Sequence, residues 1–224
     1  MTSTEERLAS RPATVVPLLE SGDRLTRAEF HRRYLARPDI KKAELVEGVV
    51  YVAPPVRADV HGQPHAHIMG WLVTFQARTP GVSIADNATV RLDGDNELQP
   101  DASLWREEPG GPRLTDDGYI EGAPQLVVEV AASSASYDLH DKLRAYRRNG
   151  VREYVVWRTL DRAIDWFRLR EGEYVRVEPG ADGVIESEAF PGLRLHVPKL
   201  LAGDTAGVLA ELDRGADDGG TRSE

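Results

Sequence analysis

The stretch Gln125-Leu126-Val127-Val128-Glu129-Val130-Ala131-Ala132 is the most apolar of the chain, and a valine-rich run of that length reads as a strand buried on both faces. After it, Ser136 can cap a helix from Tyr137 to Asn149 that Gly150 ends. Val151-Arg152-Glu153-Tyr154-Val155-Val156-Trp157 then reads as a second central strand. Strand, helix, strand in that order implies a right-handed parallel crossover. The expected class is therefore α/β (α+β), a mixed sheet crossed by one helix.

Upstream, Thr26 and Glu29 form a capping-box pattern, with Leu25 and Phe30 placed as a hydrophobic staple for a short helix ending near Arg37-Pro38. Ala43 to Val46 and Val49 to Val52 flank Glu47-Gly48, a hairpin signal. Pro64 can begin a helix, and Ile68, Trp71, Leu72 and Phe75 recur at its period until Thr79-Pro80-Gly81. Strands are expected at Ala88 to Leu92 and Ala102 to Trp105, around the turn residues Asp93 to Asn96. Downstream, Ile164 to Leu169 and Tyr174 to Val177 make a late hairpin, and a final helix starts near Pro198. Residues 1–22 and 213–224 read as polar mobile tails around one domain at 23–212.

The 224 residues contain no cysteine, which removes disulfides, thiol nucleophiles and cysteine-held metals. The 28 Lys+Arg against 37 Asp+Glu give a net charge of -9, unsuited to coating a polyanion through the overall field. A phosphate partner must meet a local basic surface or a bound cation. With no apolar run of about 18 residues and no signal-peptide pattern at the start, the chain reads as cytoplasmic, without a membrane partner.

Glu129 is the anomaly within the apolar strand. An ionised carboxylate there costs several kcal/mol unless paired or metal-bound; the alternative is a strand-end glutamate reaching solvent. Asp101 follows Pro100 at the start of a strand, a candidate site acid or a simple turn. On the helix after Glu129, Leu139, Leu143 and Tyr146 define a buried stripe, and at about 100° per residue Lys142 borders it. Lysine is scarce here (Lys41, Lys42, Lys142, Lys199), so this one reads as a site ammonium or as a snorkelling side chain. His61, His65 and His67 invite a zinc reading, but a helix beginning at Pro64 would keep His61 and His65 off one face. His65 is left as an accessory residue facing the acids or as a surface histidine. No nucleophile elbow, phosphate loop or dinucleotide fingerprint occurs.

Taken together, Glu44-Leu45-Val46-Glu47-Gly48, His65-Ala66-His67-Ile68, Gln99-Pro100-Asp101, Glu121 to Val130, Tyr137 to Tyr146 and Gly150 to Tyr154 resemble the Uma-two family of restriction endonuclease-like proteins, within the PD-(D/E)XK nucleases. The likeness runs from about Leu25 to Leu201. It implies the restriction-endonuclease-like fold with an αβββαβ core and a metal-dependent endonuclease. The resemblance makes Asp101 and Glu129 catalytic ligands of Mg²⁺ (or Mn²⁺), with Glu44 as a further metal-site acid. The motif lysine should stand at position 131, which is alanine, and Lys142 is the expected substitute. Arg144, Arg147, Arg148 and Arg152 would form the cationic surface for nucleic acid, DNA above all. Exposed edge strands fit a homodimer. Two other readings stay open: a non-catalytic DNA-binding or regulatory relative, and a metal-dependent hydrolase of another phosphoester.

Overall fold

The computed structural model describes residues 16–219; the first fifteen residues of the expected N-terminal tail and the last five of the C-terminal one lie outside that range. Residues 16–22 do not form a tail. Leu19 is buried, Gly22 donates its N–H to the Val50 carbonyl (2.8 Å), and the Val52 N–H donates to Ser21 Oγ (2.9 Å). Thr26 caps α1 (Arg27–Leu35), its Oγ1 accepting from the Glu29 N–H at 3.4 Å. The Glu29 side chain pairs instead with Arg32 and Arg33, because two guanidinium forks compete for it.

The hairpin β1 (Ala43–Val46) and β2 (Val49–Val52) turns at Glu47 and Gly48, which have φ of 53° and 74°, as a primed two-residue turn requires. The helical path then begins earlier than Pro64. A π-helical turn, Ala58–Gly62, leads directly into α2 (Gln63–Arg78), with the Gly62 N–H bonding back to the Arg57 carbonyl at 3.1 Å. Pro64 is accommodated in the first turn of α2, where a missing N–H costs least.

Next come β3 (Ser83–Asp86), β4 (Val90–Arg91), β5 (Glu97–Leu98) and β6 (Ala102–Trp105). The turn cluster at Asp93 to Asn96 does make a hairpin, but its partners are β4 and β5. Asn96 stitches it, donating to the Asp93 carboxylate and accepting from the Glu47 N–H. Pro100 then lets the chain leave one sheet for the other.

After β7 (Arg113–Leu114) and β8 (Ile120–Glu121) come the decisive elements. These are β9 (Leu126–Ala131), α3 (Ala135–Tyr137), a π-helical segment Asp138–Lys142, α4 (Leu143–Arg148) and β10 (Glu153–Arg158). Strands β9 and β10 are parallel, as the crossover pattern requires. Gly150, at φ 82°, ends α4; the Gly150 N–H reaches Arg147 O and the Val151 N–H reaches Tyr146 O, the paired bonds of a Schellman cap. The chain closes with β11 (Ala163–Arg170), β12 (Glu173–Val177), β13 (Val184–Glu186), β14 (Arg194–His196), α5 (Val197–Leu201) and α6 (Thr205–Gly219). Helix α6 runs on through Asp213, where the sequence suggests a tail, and Arg78 pairs with Asp213.

Two six-stranded mixed sheets result, ordered β2-β1-β5-β4-β8-β7 and β12-β11-β10-β9-β6-β3. All six residues of β9 are buried, and its faces alternate. Val128 and Val130 join Ile68, Trp71 and Leu72 of α2 in one core, while Val127 and Ala131 join Ala145 and Tyr146 of α4 in another. The period of two puts Glu129 on the α4 face. Among the described residues no helix is long and apolar enough to cross a membrane.

Candidate active site

Five ionisable side chains meet beside β9, each 4% exposed or less: Glu44, Asp101, Glu129, Asp138 and Lys142. Strand β1 supplies Glu44, the entry to β6 supplies Asp101, β9 supplies Glu129, and the π-helical segment supplies Asp138 and Lys142. They line a cleft of about 460 Å³ together with Lys42, His61 and the apolar segment Val52–Val56.

Lys142 is no snorkelling side chain. Its ammonium lies 2.9 Å from Glu44 Oε2, 2.9 Å from Glu129 Oε1 and 3.4 Å from Asp138 Oδ1, and 5.3 Å from the centre of the Tyr137 ring. Burial disfavours its charge, but the three carboxylates outweigh that and hold its pKa well above the usual lysine value. Glu44 is fully engaged, since its Oε1 accepts the Gln99 N–H at 2.8 Å.

Glu129 is anchored on one side only. Oε1 accepts from Lys142 and from the Tyr146 hydroxyl at 3.0 Å, while Oε2 accepts no hydrogen bond among the described residues. Burial, opposed by Lys142 and reinforced by Asp101, Asp138 and Glu44, pushes its pKa up to about 8. Asp138, also buried, is raised too.

Asp101 behaves in the opposite way. Its Oδ2 accepts the Val130 N–H at 2.7 Å, which ties the mouth of β6 to β9. Its Oδ1 faces Lys42 Nζ at 3.2 Å and His61 Nε2 at 3.5 Å. Burial alone would raise its pKa, but Lys42, His61 and the Val130 N–H bring the net value below the ordinary one.

Lys42 and His61 also line the cleft; the sequence reading weighs His61 only within a zinc cluster that it sets aside, and Lys42 only in the count of lysines. Lys42 stands two residues before Glu44, on the same side of an extended chain, and that spacing is the available signal. A helix starting at Pro64 would hold His61 apart from His65, and the π-helical turn corrects this. The rings of His61 and His65 lie 5.8 Å apart, and His61 Nδ1 is 2.8 Å from the Val130 carbonyl oxygen. His65 does not line the cleft. Its Nε2 is 2.9 Å from the Asp101 carbonyl and 3.2 Å from Asp86 Oδ1, bracing Asp101 from behind.

The four arginines lie elsewhere. Arg144 pairs with Asp141, Arg147 with Glu173, Arg148 with Glu47 and Asp93, and Arg152 with Glu108. None lines the cleft.

Among the described residues, no three acidic or histidine side chains are set around one point as a ready metal cage, because Lys142 fills the space between Glu44, Glu129 and Asp138. The donor set nonetheless suits a magnesium-type ion, which takes hard oxygens and is commonly held by one or two carboxylates with waters completing its shell. Asp101 Oδ1 and Glu129 Oε2 are the oxygens available for this.

No curated protein matches the chain. Among solved structures, it is similar to a protein described as "a putative nuclease belonging to DUF820" from Anabaena variabilis. The TM-score is 0.60 at 14% identity, covering 76% of this chain and 96% of that one. That likeness shows a nuclease-like fold. The family model described as "Putative restriction endonuclease" matches residues 27–198, a span that contains every residue of the cleft, and the chain belongs to that family, Uma2.

Proposed function

We propose that the chain is a metal-dependent endonuclease that hydrolyses phosphodiester bonds of DNA, with Mg²⁺ or Mn²⁺ as its cofactor. The observation that carries this reading is an imbalance of charge. Ionised Glu44, Asp101, Glu129 and Asp138 bring four negative charges to the cleft against two positive charges on Lys42 and Lys142. An excess of two in a buried site is costly, and one divalent cation cancels it. Without the cation, a proton on Glu129 relieves part of the excess, in keeping with its pKa of about 8.

Bound between Asp101 and Glu129, the ion would neutralise charge on the phosphoryl oxygens and acidify a water. The chain itself does the positioning. Tyr146 and Lys142 fix Glu129 Oε1 and leave Oε2 toward the cleft. The Val130 N–H holds Asp101 Oδ2 and leaves Oδ1 toward it.

The test is cleavage of plasmid, single-stranded DNA and RNA with Mg²⁺, Mn²⁺ or EDTA. Asp101→Asn and Glu129→Gln are each expected to lower kcat by roughly 10³-fold, the scale of a lost charge-stabilising group. Cleavage that survives both substitutions, or survives EDTA, overturns the reading.

A further inference from the structure

We infer that Lys42, and not Lys142, is the lysine that meets the scissile phosphate; the inference rests on the endonuclease reading above. An ammonium has three N–H donors and no acceptor. Lys142 has three carboxylates within reach, from Glu44, Glu129 and Asp138, and its side chain is 4% exposed. Nζ donates to Glu129 Oε1 and stands in ion-pair contact with the other two, so its charge is neutralised within the wall of the cleft. Reaching a substrate would strand three buried carboxylates without their counter-charge.

Lys42 is placed differently. Among the described residues it donates to two acceptors, Asp101 Oδ1 at 3.2 Å and the uncharged Asn87 Oδ1 at 3.1 Å. Its third donor has no partner among the described residues, its side chain is 23% exposed, and it lines the cleft. It therefore stands at the carboxylate oxygen that a cation would take from it, on the lining of the cleft and with one donor to spare. With Asp101 Oδ1 given over to a cation, the Lys42 ammonium would keep its proton and be free to donate to a non-bridging phosphoryl oxygen. In the hydrolysis it supports, water adds to phosphorus, the P–O bond to one sugar oxygen breaks, the proton of the entering water leaves to solvent, and the departing oxygen takes a proton from solvent.

This assignment makes two opposite-signed expectations for Lys42→Met. Removing a cation that competes for Asp101 tightens Mn²⁺ binding several-fold, measured by titration calorimetry or by electron paramagnetic resonance of free Mn²⁺. Removing the phosphate donor lowers kcat by roughly 10²-fold or more. A purely structural lysine would not tighten the metal while slowing turnover.

Because the chain has no cysteine, Lys42→Cys carries a unique thiol. Its alkylation with 2-bromoethylamine rebuilds an ammonium at nearly the original length and is expected to restore most of the lost rate; alkylation with iodoacetamide is not. Wild-type cleavage combined with undiminished kcat in Lys42→Met, weakened Mn²⁺ binding in that variant, or no rescue by aminoethylation each overturns the inference and leaves the endonuclease reading standing. A wild-type chain that cleaves nothing in either metal removes the endonuclease reading, and the inference falls with it.

Discussion

Along residues 135–148, Lys142 turns inward to three carboxylates, while Arg144, Arg147 and Arg148, a few positions on, turn outward and each meets surface acid. The outer cluster sets three arginines against four acids, and it is open to water, where such pairs contribute little. The inner cluster is unbalanced and dry. Charge at a surface is screened by water and needs nothing more, whereas buried charge left in excess needs a proton or an ion. This contrast, more than the count of basic residues, separates the two regions by purpose.

The comparison can be broken most forcefully at Lys142. Lys142→Met leaves Glu44, Glu129 and Asp138 buried without their shared counter-charge, and removal of one partner of a buried pair costs about 3–5 kcal/mol. Urea unfolding at neutral pH is expected to show that loss, with millimolar Mg²⁺ or a lower pH returning part of it. An unchanged midpoint would mean that the inner cluster is no more demanding than the outer one.

A smaller effect is expected from pH. The folded-state pKa of Glu129 is raised from 4.5 to about 8, so between those values the folded chain holds a proton that the unfolded chain has released. This group's contribution is therefore complete below about pH 4.5 and is lost as pH rises through 8, at up to about 1.4 kcal/mol per pH unit. Metal-free protein is expected to lose stability over that window in chemical denaturation, and Mg²⁺ to flatten the slope. A slope that is absent without metal would place Glu129 among ordinary paired carboxylates.

The smallest effect belongs to the outer cluster. Arg148→Ala breaks its pairs with Glu47 and Asp93 and is expected to cost about 0–1 kcal/mol with kcat unchanged. Loss of DNA affinity in Arg148→Ala, read by fluorescence anisotropy, would sharpen the contrast differently, by making the outer patch the nucleic-acid surface expected of its arginines.

Much of the frame is legible from local pattern. The apolar run of β9, the Glu47-Gly48 turn and the Gly150 helix stop each carry their own signal, and so the central strands and the crossover helix can be read directly. Strands β5, β7 and β8, two residues each, cannot, since so short a segment has no periodicity and is made a strand by its neighbours. In the site, Asp101, Glu129 and Lys142 stand out against an apolar background or a proline. Lys42 and His61 lie in polar surroundings, and only folding brings them to Asp101. The capping-box motif at Thr26 misleads in a small way, because a carboxylate will leave a backbone N–H for a guanidinium.

Both π-helical stretches carry cleft side chains, His61 in Ala58–Gly62 and Asp138 and Lys142 in Asp138–Lys142. A turn closed from i to i+5 holds one residue more than an α-turn, so each of these turns carries one residue beyond what an α-helical path would need. Deleting one residue from Asp138–Lys142 would reset the helix by about 100° and swing the remaining turns of α4 to another face. On the endonuclease reading proposed above, the length of these two turns would matter as much as the identity of the acids, because a three-nucleotide deletion is enough to change which side chains they hold in the cleft.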